Sequence, residues 1–386
     1  MDGFQKFYIY KGKRVEILVS FIIPFIILLT IVVFIHEYGH YYFAKKYGVG
    51  VTDFSIGFGK ELFGFYDKSG TRWKFCAIPL GGYVKFFGDR NVFSQAEQEE
   101  LLKEYNEEDR KKLFVVKPLY QRSLIVAAGP FANFLLAIVI FAFIYMFAGK
   151  DFTPAQIQEV QTESPAYIAG IKSGDVIQSI NNREVKSIME VSTFINASSS
   201  ETIDIEVLRN DGKLSFKVKP KFIEGKDSLG NQINKKIIGI KVAPLNEEIN
   251  RQRLGPATAL FYAVKETWFV IQASWEFIIS MFKGTGDTSQ LGGPIKIAKI
   301  TGQVAKFGVV AFLSIMAYIS ISLGFINLLP IPMLDGGHLM FYAFEKILGR
   351  PLTQKTQEGF FRIGLFLLLS LMFFTTFNDL KDLGLF

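Results

Sequence analysis

The sequence predicts a polytopic α-helical membrane protein of about four transmembrane helices, with a membrane-associated β-hairpin loop and one inserted soluble α+β domain. Four runs contain no Asp, Glu, Lys or Arg: Ile17–Ile35, Ser123–Gly149, Phe307–Leu334 and Ile363–Phe377, of 19, 27, 28 and 15 residues. A span needs about 20 largely apolar residues to cross about 30 Å of hydrocarbon. The 386-residue chain is 49% hydrophobic and 20% charged, short of the roughly 25% charge of an ordinary soluble domain. Its mean hydropathy of +0.26 is still too low for a chain lying wholly in the bilayer. These figures exclude a disordered chain, a collagen-like fibre and an ordinary soluble enzyme. The single cysteine can form neither an intrachain disulfide nor a thiolate zinc cluster. The net charge of +7 comes with no basic stripe of interleaved aromatics. No nucleic-acid partner is expected, and lysines flanking the spans account for the excess.

Residues 15–48 hold the first transmembrane helix. Lys6, Lys11, Lys13 and Arg14 precede it as they would a signal peptide, but no small-x-small cleavage site follows, so it reads as a retained span. Residues 49–93 form a membrane-associated β-rich loop: a strand through Phe63–Tyr66, a turn at Asp67-Lys68-Ser69-Gly70, a strand over Arg72–Ile78, then Pro79-Leu80-Gly81-Gly82-Tyr83. Residues 94–122 carry a charged helix over 94–113, opened by a Ser94/Glu97 capping box and closed before Pro118, and a linker. The second span occupies 123–149. Residues 150–223 make the soluble domain, with a hairpin of Ile203–Leu208, Asn210-Asp211-Gly212 and Leu214–Val218.

Residues 224–306 contain a linker and an amphipathic helix. Its stripe of Phe261, Val264, Trp268, Ile271, Trp275, Ile278 and Phe282 alternates three and four residues apart. That pattern fits packing against neighbouring elements best, and it also fits a helix at the bilayer interface. Residues 307–345 hold the third span and residues 346–386 the fourth, which Gly359–Phe361 lengthen past a snorkelling Arg362. An even number of spans puts both termini and residues 150–306 on one side. Lysines and arginines divide almost equally between the two sides, so charge does not orient the protein.

The chemistry sits at membrane depth. His36-Glu37-Tyr38-Gly39-His40 is an H-E-x-x-H motif using two of only three histidines, and it continues directly from an apolar run. Residues four apart share a helix face, so both imidazoles can reach one metal, with Glu37 placed to take a proton from water. Zinc lowers a coordinated water's pKa from about 15.7 toward about 7. A catalytic zinc needs a third protein ligand. The third run ends in Asn327-Leu328-Leu329-Pro330-Ile331-Pro332-Met333-Leu334-Asp335-Gly336-Gly337-His338, where two prolines break the helix. A broken helix at this depth is tolerated where it lines a protein or water-filled cavity. By residue chemistry alone Asp335 and His338 compete equally as third ligand.

His36–His40 and Asn327–Gly337 together resemble the paired signatures of the site-2 protease family of intramembrane zinc metalloproteases, most closely its bacterial regulator-of-sigma-E group. Gly81-Gly82-Tyr83-Val84-Lys85, Ala128-Gly129-Pro130-Phe131-Ala132-Asn133 and a PDZ-like segment from Ser164 to Asn181 agree in order. The resemblance implies His36, His40 and Asp335 as zinc ligands and Glu37 as general base. It implies substrate contact for Asn327, Asn133, Gly81 and Gly82, with Asn327 meeting the substrate or its oxyanion. It further implies transmembrane substrates already cut by another protease and a place in the bacterial inner membrane. The active site would then lie toward the cytoplasm, with one PDZ-like domain on the periplasmic side. The alternative is a non-catalytic membrane scaffold presenting that domain to peptides.

Overall fold

The computed structural model describes residues 18–89, 104–198, 200–226, 232–245, 248–284 and 291–382. The chain forms two compact units, one from residues up to 140 together with 293–377, the other from 141–292 and the chain beyond 377. Among the described residues, four helices are long and apolar enough to cross a membrane: Ser20–Lys46, Leu119–Phe147, Val309–Asn327 and Lys355–Lys381.

In the first unit a single π-helical turn, Leu18–Ile22, leads into α1 (Ile23–Lys46), with Pro24 in its first turn where no N–H is required. The helix runs past the end of the uncharged stretch and carries His36, Glu37 and His40. After Gly48 (φ +67°) come β1 (Val51–Tyr66) and β2 (Arg72–Phe86), an antiparallel pair so long and bent that its register doubles back. Phe54 faces both Val84 and Trp73.

The expected Asp67–Gly70 turn closes the hairpin, with Gly70 N–H donating to Asp67 O at 3.1 Å. The Asp67 carboxylate accepts from Tyr41 Oη (2.7 Å), Trp73 Nε1 (3.2 Å), Ser69 N–H (2.8 Å) and Thr71 N–H (2.9 Å). Burial pushes its pKa up, but these donors win and hold it well below the usual carboxylate range. The Tyr41 bond ties the hairpin tip to α1.

The expected capping box at Ser94 and Glu97 lies outside the described residues. Within 104–113, Glu104 and Glu107–Arg110 are helical, separated by a break at Tyr105-Asn106; Asn106 caps the second stretch, its side chain accepting from Asp109 N–H. The continuous helix expected there gives way because Asn106 prefers its own cap to a helix interior. Next comes α2 (Leu119–Phe147), which starts before the uncharged run.

The second unit holds a mixed domain: β3 (Ala155–Val160), α3 (Pro165–Ala169), β4 (Val176–Ile180), α4 (Ile188–Ala197), β5 (Ile203–Arg209) and β6 (Gly212–Val218). The β5–β6 turn has Asn210 at φ +49° and Asp211 at φ +62°, the left-handed pair such a two-residue turn needs. One more strand, β7 (Ile240–Pro244), pairs with β3 and completes the order β7-β3-β4-β5-β6. The domain boundary expected at residue 223 therefore moves beyond Pro244. Ile238 closes the core with Ile157, Ile177, Ile180, Ile203 and Ile205, and a strand returning after so long an excursion leaves no periodic signal. Asp175, 1% exposed, receives Arg209 through both oxygens at 2.6 and 2.8 Å.

The amphipathic helix is α5 (Pro256–Phe282). Its buried positions are Ala259, Ala263, Thr267 and Ser280, while Phe261, Val264, Trp268, Trp275 and Phe282 are exposed. The expectation that the stripe packs inward is corrected: the other side faces the domain, joined by Phe269 on Phe194 and by Arg183 to Glu276 at 2.5 Å.

Back in the first unit, α6 (Pro294–Ala305), which the sequence did not announce, packs on the start of α1; a Cβ at Gly302 would overlap Ser20 O. Then come α7 (Val309–Asn327), a turn through Leu328–Leu334, α8 (Asp335–Leu348) and α9 (Gln354–Asp382).

Candidate metal centre

Three donor atoms converge within the first unit. His36 Nε2 lies 3.3 Å from His40 Nε2 and 3.2 Å from Asp335 Oδ2, and His40 Nε2 lies 3.5 Å from that same oxygen. Both histidines are buried, and Asp335 Oδ2 is buried with no hydrogen-bond donor. Zinc–ligand bonds of about 2.0–2.1 Å in a tetrahedron set its donor atoms about 3.3 Å apart. The triangle has that edge. Two imidazole nitrogens and a carboxylate oxygen so close together are mutually compatible when they share a cation, and three protein donors leave the fourth position open, as catalytic zinc sites do.

Local sequence explains how each arrives. His36 and His40 are four apart on α1, hence on one face. The imidazole of His40 can lie against α2 because Gly129 has no side chain; a Cβ there would overlap the ring. Gly39 lets the two helices approach, since a Cβ would meet Ala128 O and stand 2.9 Å from Ala132 Cβ. His40 Nδ1 donates to Ile125 O at 2.9 Å, which leaves Nε2 as the free lone pair.

Asp335 is the first residue of α8. The turn before it includes Met333 at φ +89°, strain that the close packing around it maintains. Gly336 and Gly337 sit against the carbonyls of Leu329 and Ile331, where no Cβ fits. Farther along α8, Glu345 receives the buried Arg122 of α2 in a two-pronged ion pair, its longer arm 3.2 Å, with Tyr342 under the guanidinium. That pair fixes α8, and so Asp335, against the helix on which His40 rests.

His338 stands outside the donor triangle, packed against the paired rings of Phe341 and Phe361. Asp335→Ala is expected to weaken zinc binding by more than about 100-fold, since losing even an outer partner costs about 10–100-fold. His338→Ala should leave it unchanged. Metal analysis of the purified variants checks both, and full occupancy in Asp335→Ala would shift the ligand to His338.

Glu37 lies beside this triangle, its carboxylate facing the Val84 backbone amide. Gly82 covers it: a Cβ there would stand 3.0 Å from Glu37 Cγ and 2.7 Å from Ser55 O. Gly81, at φ +134°, sits against the Phe58 ring. The structure thus brings Gly81 and Gly82 beside Glu37, and Asn133 beside His36, with Asn133 Nδ2 3.3 Å from His36 Nδ1. Asn327 ends α7, half-buried, at the start of the break. Ile125 O and the Arg122–Glu345 pair were missed by sequence reading. A backbone carbonyl has no sequence signal, and the pair joins residues far apart in the chain.

The fold and this cluster define the class: a membrane metalloprotease whose cofactor is zinc. A model of peptidase family M50 matches residues 24–371, and the chain belongs to that family, the site-2 proteases. A relative from Mesorhizobium japonicum, named provisionally as a zinc metalloprotease, is 41% identical over 362 residues, covering 93% of this chain and 98% of its own. A similarly named protein of Agrobacterium fabrum is 41% identical over 366 residues, covering 95% of this chain and 97% of its own. Metalloprotease MmpA of Caulobacter vibrioides is 35% identical over 387 residues, covering 95% and 96%. Among solved structures, the PDZ domain of an SdrC-like protein from Listeria monocytogenes aligns with 24% of this chain and 88% of its own, at 22% identity and a TM-score of 0.19.

Proposed function

We propose that this metalloprotease cuts within transmembrane segments of membrane proteins that another protease has already shortened, such as anti-sigma factors or signal-peptide remnants. One observation carries the reading: the donor triangle and Glu37 are built on a helix that is itself a candidate span and on the break that follows another. Ionisable groups at membrane depth are costly and mark function.

In this reading His36, His40 and Asp335 hold the zinc. When bound, zinc supplies a Lewis acid that makes water nucleophilic near neutral pH. Glu37 takes the proton of the attacking water and returns it to the leaving amine. Asn327 faces the developing oxyanion. An unwound substrate must satisfy its backbone amides at membrane depth. Among the described residues Gly82–Phe86 pairs with β1 on one side only, so its open edge beside Glu37 can take the substrate as an added strand.

The catalytic face lies toward the cytoplasm of a bacterial inner membrane, and the domain of β3–β7, PDZ-like, lies on the periplasmic side. The outward stripe of α5, with Trp268 and Trp275, suits the bilayer interface.

The test uses full-length protein in liposomes with a single-span substrate in trimmed and untrimmed forms. Zinc-dependent cuts inside the apolar segment of the trimmed form are expected. Cleavage confined to soluble loops, or insensitive to chelator, would defeat the proposal.

A further inference from the structure

Asn133 is fully buried on α2, and its Oδ1 has no hydrogen-bond partner. The resemblance placed it beside the substrate path, yet its carboxamide touches a candidate ligand: Nδ2 lies 3.3 Å from His36 Nδ1. A neutral imidazole carries one proton, on one of its two nitrogens. His36 Nε2 is the nitrogen that faces His40 and Asp335, so a metal there requires the proton on Nδ1. Nδ1–H is a donor and needs an acceptor. An amide NH₂ facing it would instead force the ring proton onto Nε2, where the metal belongs. Rotating the carboxamide half a turn about its Cβ–Cγ bond exchanges oxygen and nitrogen and presents that acceptor.

The second histidine shows the same arrangement already made. His40 Nδ1 donates to Ile125 O at 2.9 Å, also on α2. We propose that Asn133 is the positioning residue of His36, its Oδ1 accepting the Nδ1–H and so leaving Nε2 free for zinc. The single helix α2 then fixes the tautomer of both histidines, through a backbone carbonyl for one and a side-chain carbonyl for the other. Ser320 Oγ of α7 donates to the backbone O of Asn133 at 2.8 Å, which anchors this turn of α2 without engaging the carboxamide.

The inference rests on the zinc reading of the His36, His40 and Asp335 cluster, and the experiment separates the two. Zinc affinity of full-length protein in detergent is measured by competition with a chromophoric chelator, alongside the visible spectrum of the cobalt-substituted protein. Wild type must bind one zinc; if it binds none, the metal reading itself fails. Asn133→Leu, close in size but without an acceptor, is expected to lose affinity about 10–100-fold and to alter the cobalt bands. Asn133→Asp restores an acceptor and should bind within a few-fold of wild type. Ser320→Ala should bind as wild type, because it loosens the helix contact and spares the amide.

Three results would overturn the proposal. Asn133→Leu with unchanged affinity and a raised KM would return the residue to the substrate path. Asn133→Asp as weak as Asn133→Leu would show that an acceptor is not what His36 needs. Ser320→Ala losing as much zinc as Asn133→Leu would reduce the effect to helix packing.

Discussion

Replacing Glu37 by Gln is expected to leave zinc bound and to slow cleavage about 10²–10⁴-fold, the usual contribution of a positioned general base. The substitution keeps size and shape, so the Gly82 backbone that covers the Glu37 stem has no reason to move. The three donor atoms belong to His36, His40 and Asp335 and not to Glu37, so metal content should hold. What disappears is a group able to take a proton. Rate measurements on a model transmembrane substrate in liposomes, paired with metal analysis, read both quantities from one preparation. A variant that still cleaves at the wild-type rate removes Glu37 from the chemistry. One that loses zinc as well makes Glu37 part of the metal site instead.

Gly129→Ala should be nearly as damaging although Gly129 has no reactive atom. A Cβ at this position overlaps the His40 ring. The imidazole cannot retreat cheaply, because Nδ1 is held by Ile125 O and Nε2 by the ligand triangle. Either the ring turns and breaks the triangle, or α2 moves away from α1 at the contact that Gly39 makes close. Both routes lower zinc affinity, and cleavage falls with it. Gly174→Ala is the matching control, since nothing lies within 4 Å of a Cβ there, although its φ of +89° carries backbone strain in the other unit. Zinc affinity of Gly129→Ala equal to that of wild type would show that the packing of His40 on α2 does not set the site.

Much of the scaffold was legible because hydrocarbon imposes simple rules. Each uncharged run became a helix long enough to span, but the ends differ where charge is neutralised inside the protein. The second helix begins at Leu119, earlier than its apolar run, because the Arg122 charge meets Glu345 rather than water. The first continues through His36, Glu37 and His40 to Lys46, since the polar side chains of His36 and His40 turn to a shared site inside the protein. The Asp67 turn and the Asn210-Asp211 turn were readable from residues that tolerate those conformations. The strand Ile240–Pro244 was not, because it pairs with residues far earlier in the chain. Nor was the facing of α5: a three-and-four stripe states that one side is apolar, and not whether that side meets protein or lipid.

The sequence by itself determined the chemistry on offer: two histidines one helical turn apart, a glutamate between them, and an acidic residue after a broken apolar run. Residue chemistry alone could not choose between Asp335 and His338, and only the family resemblance implied Asp335. Three residues apart on one helix, they share a face, so helical periodicity favours neither. That choice is made by the turn Leu328–Leu334, with Met333 at positive φ and with Gly336 and Gly337 pressed on its carbonyls. These contacts place the first residue of α8 against the histidines and leave His338 against Phe341 and Phe361. Sites of this kind depend on distances of a few ångströms between atoms hundreds of residues apart. Only the packing of one helix against another fixes such distances.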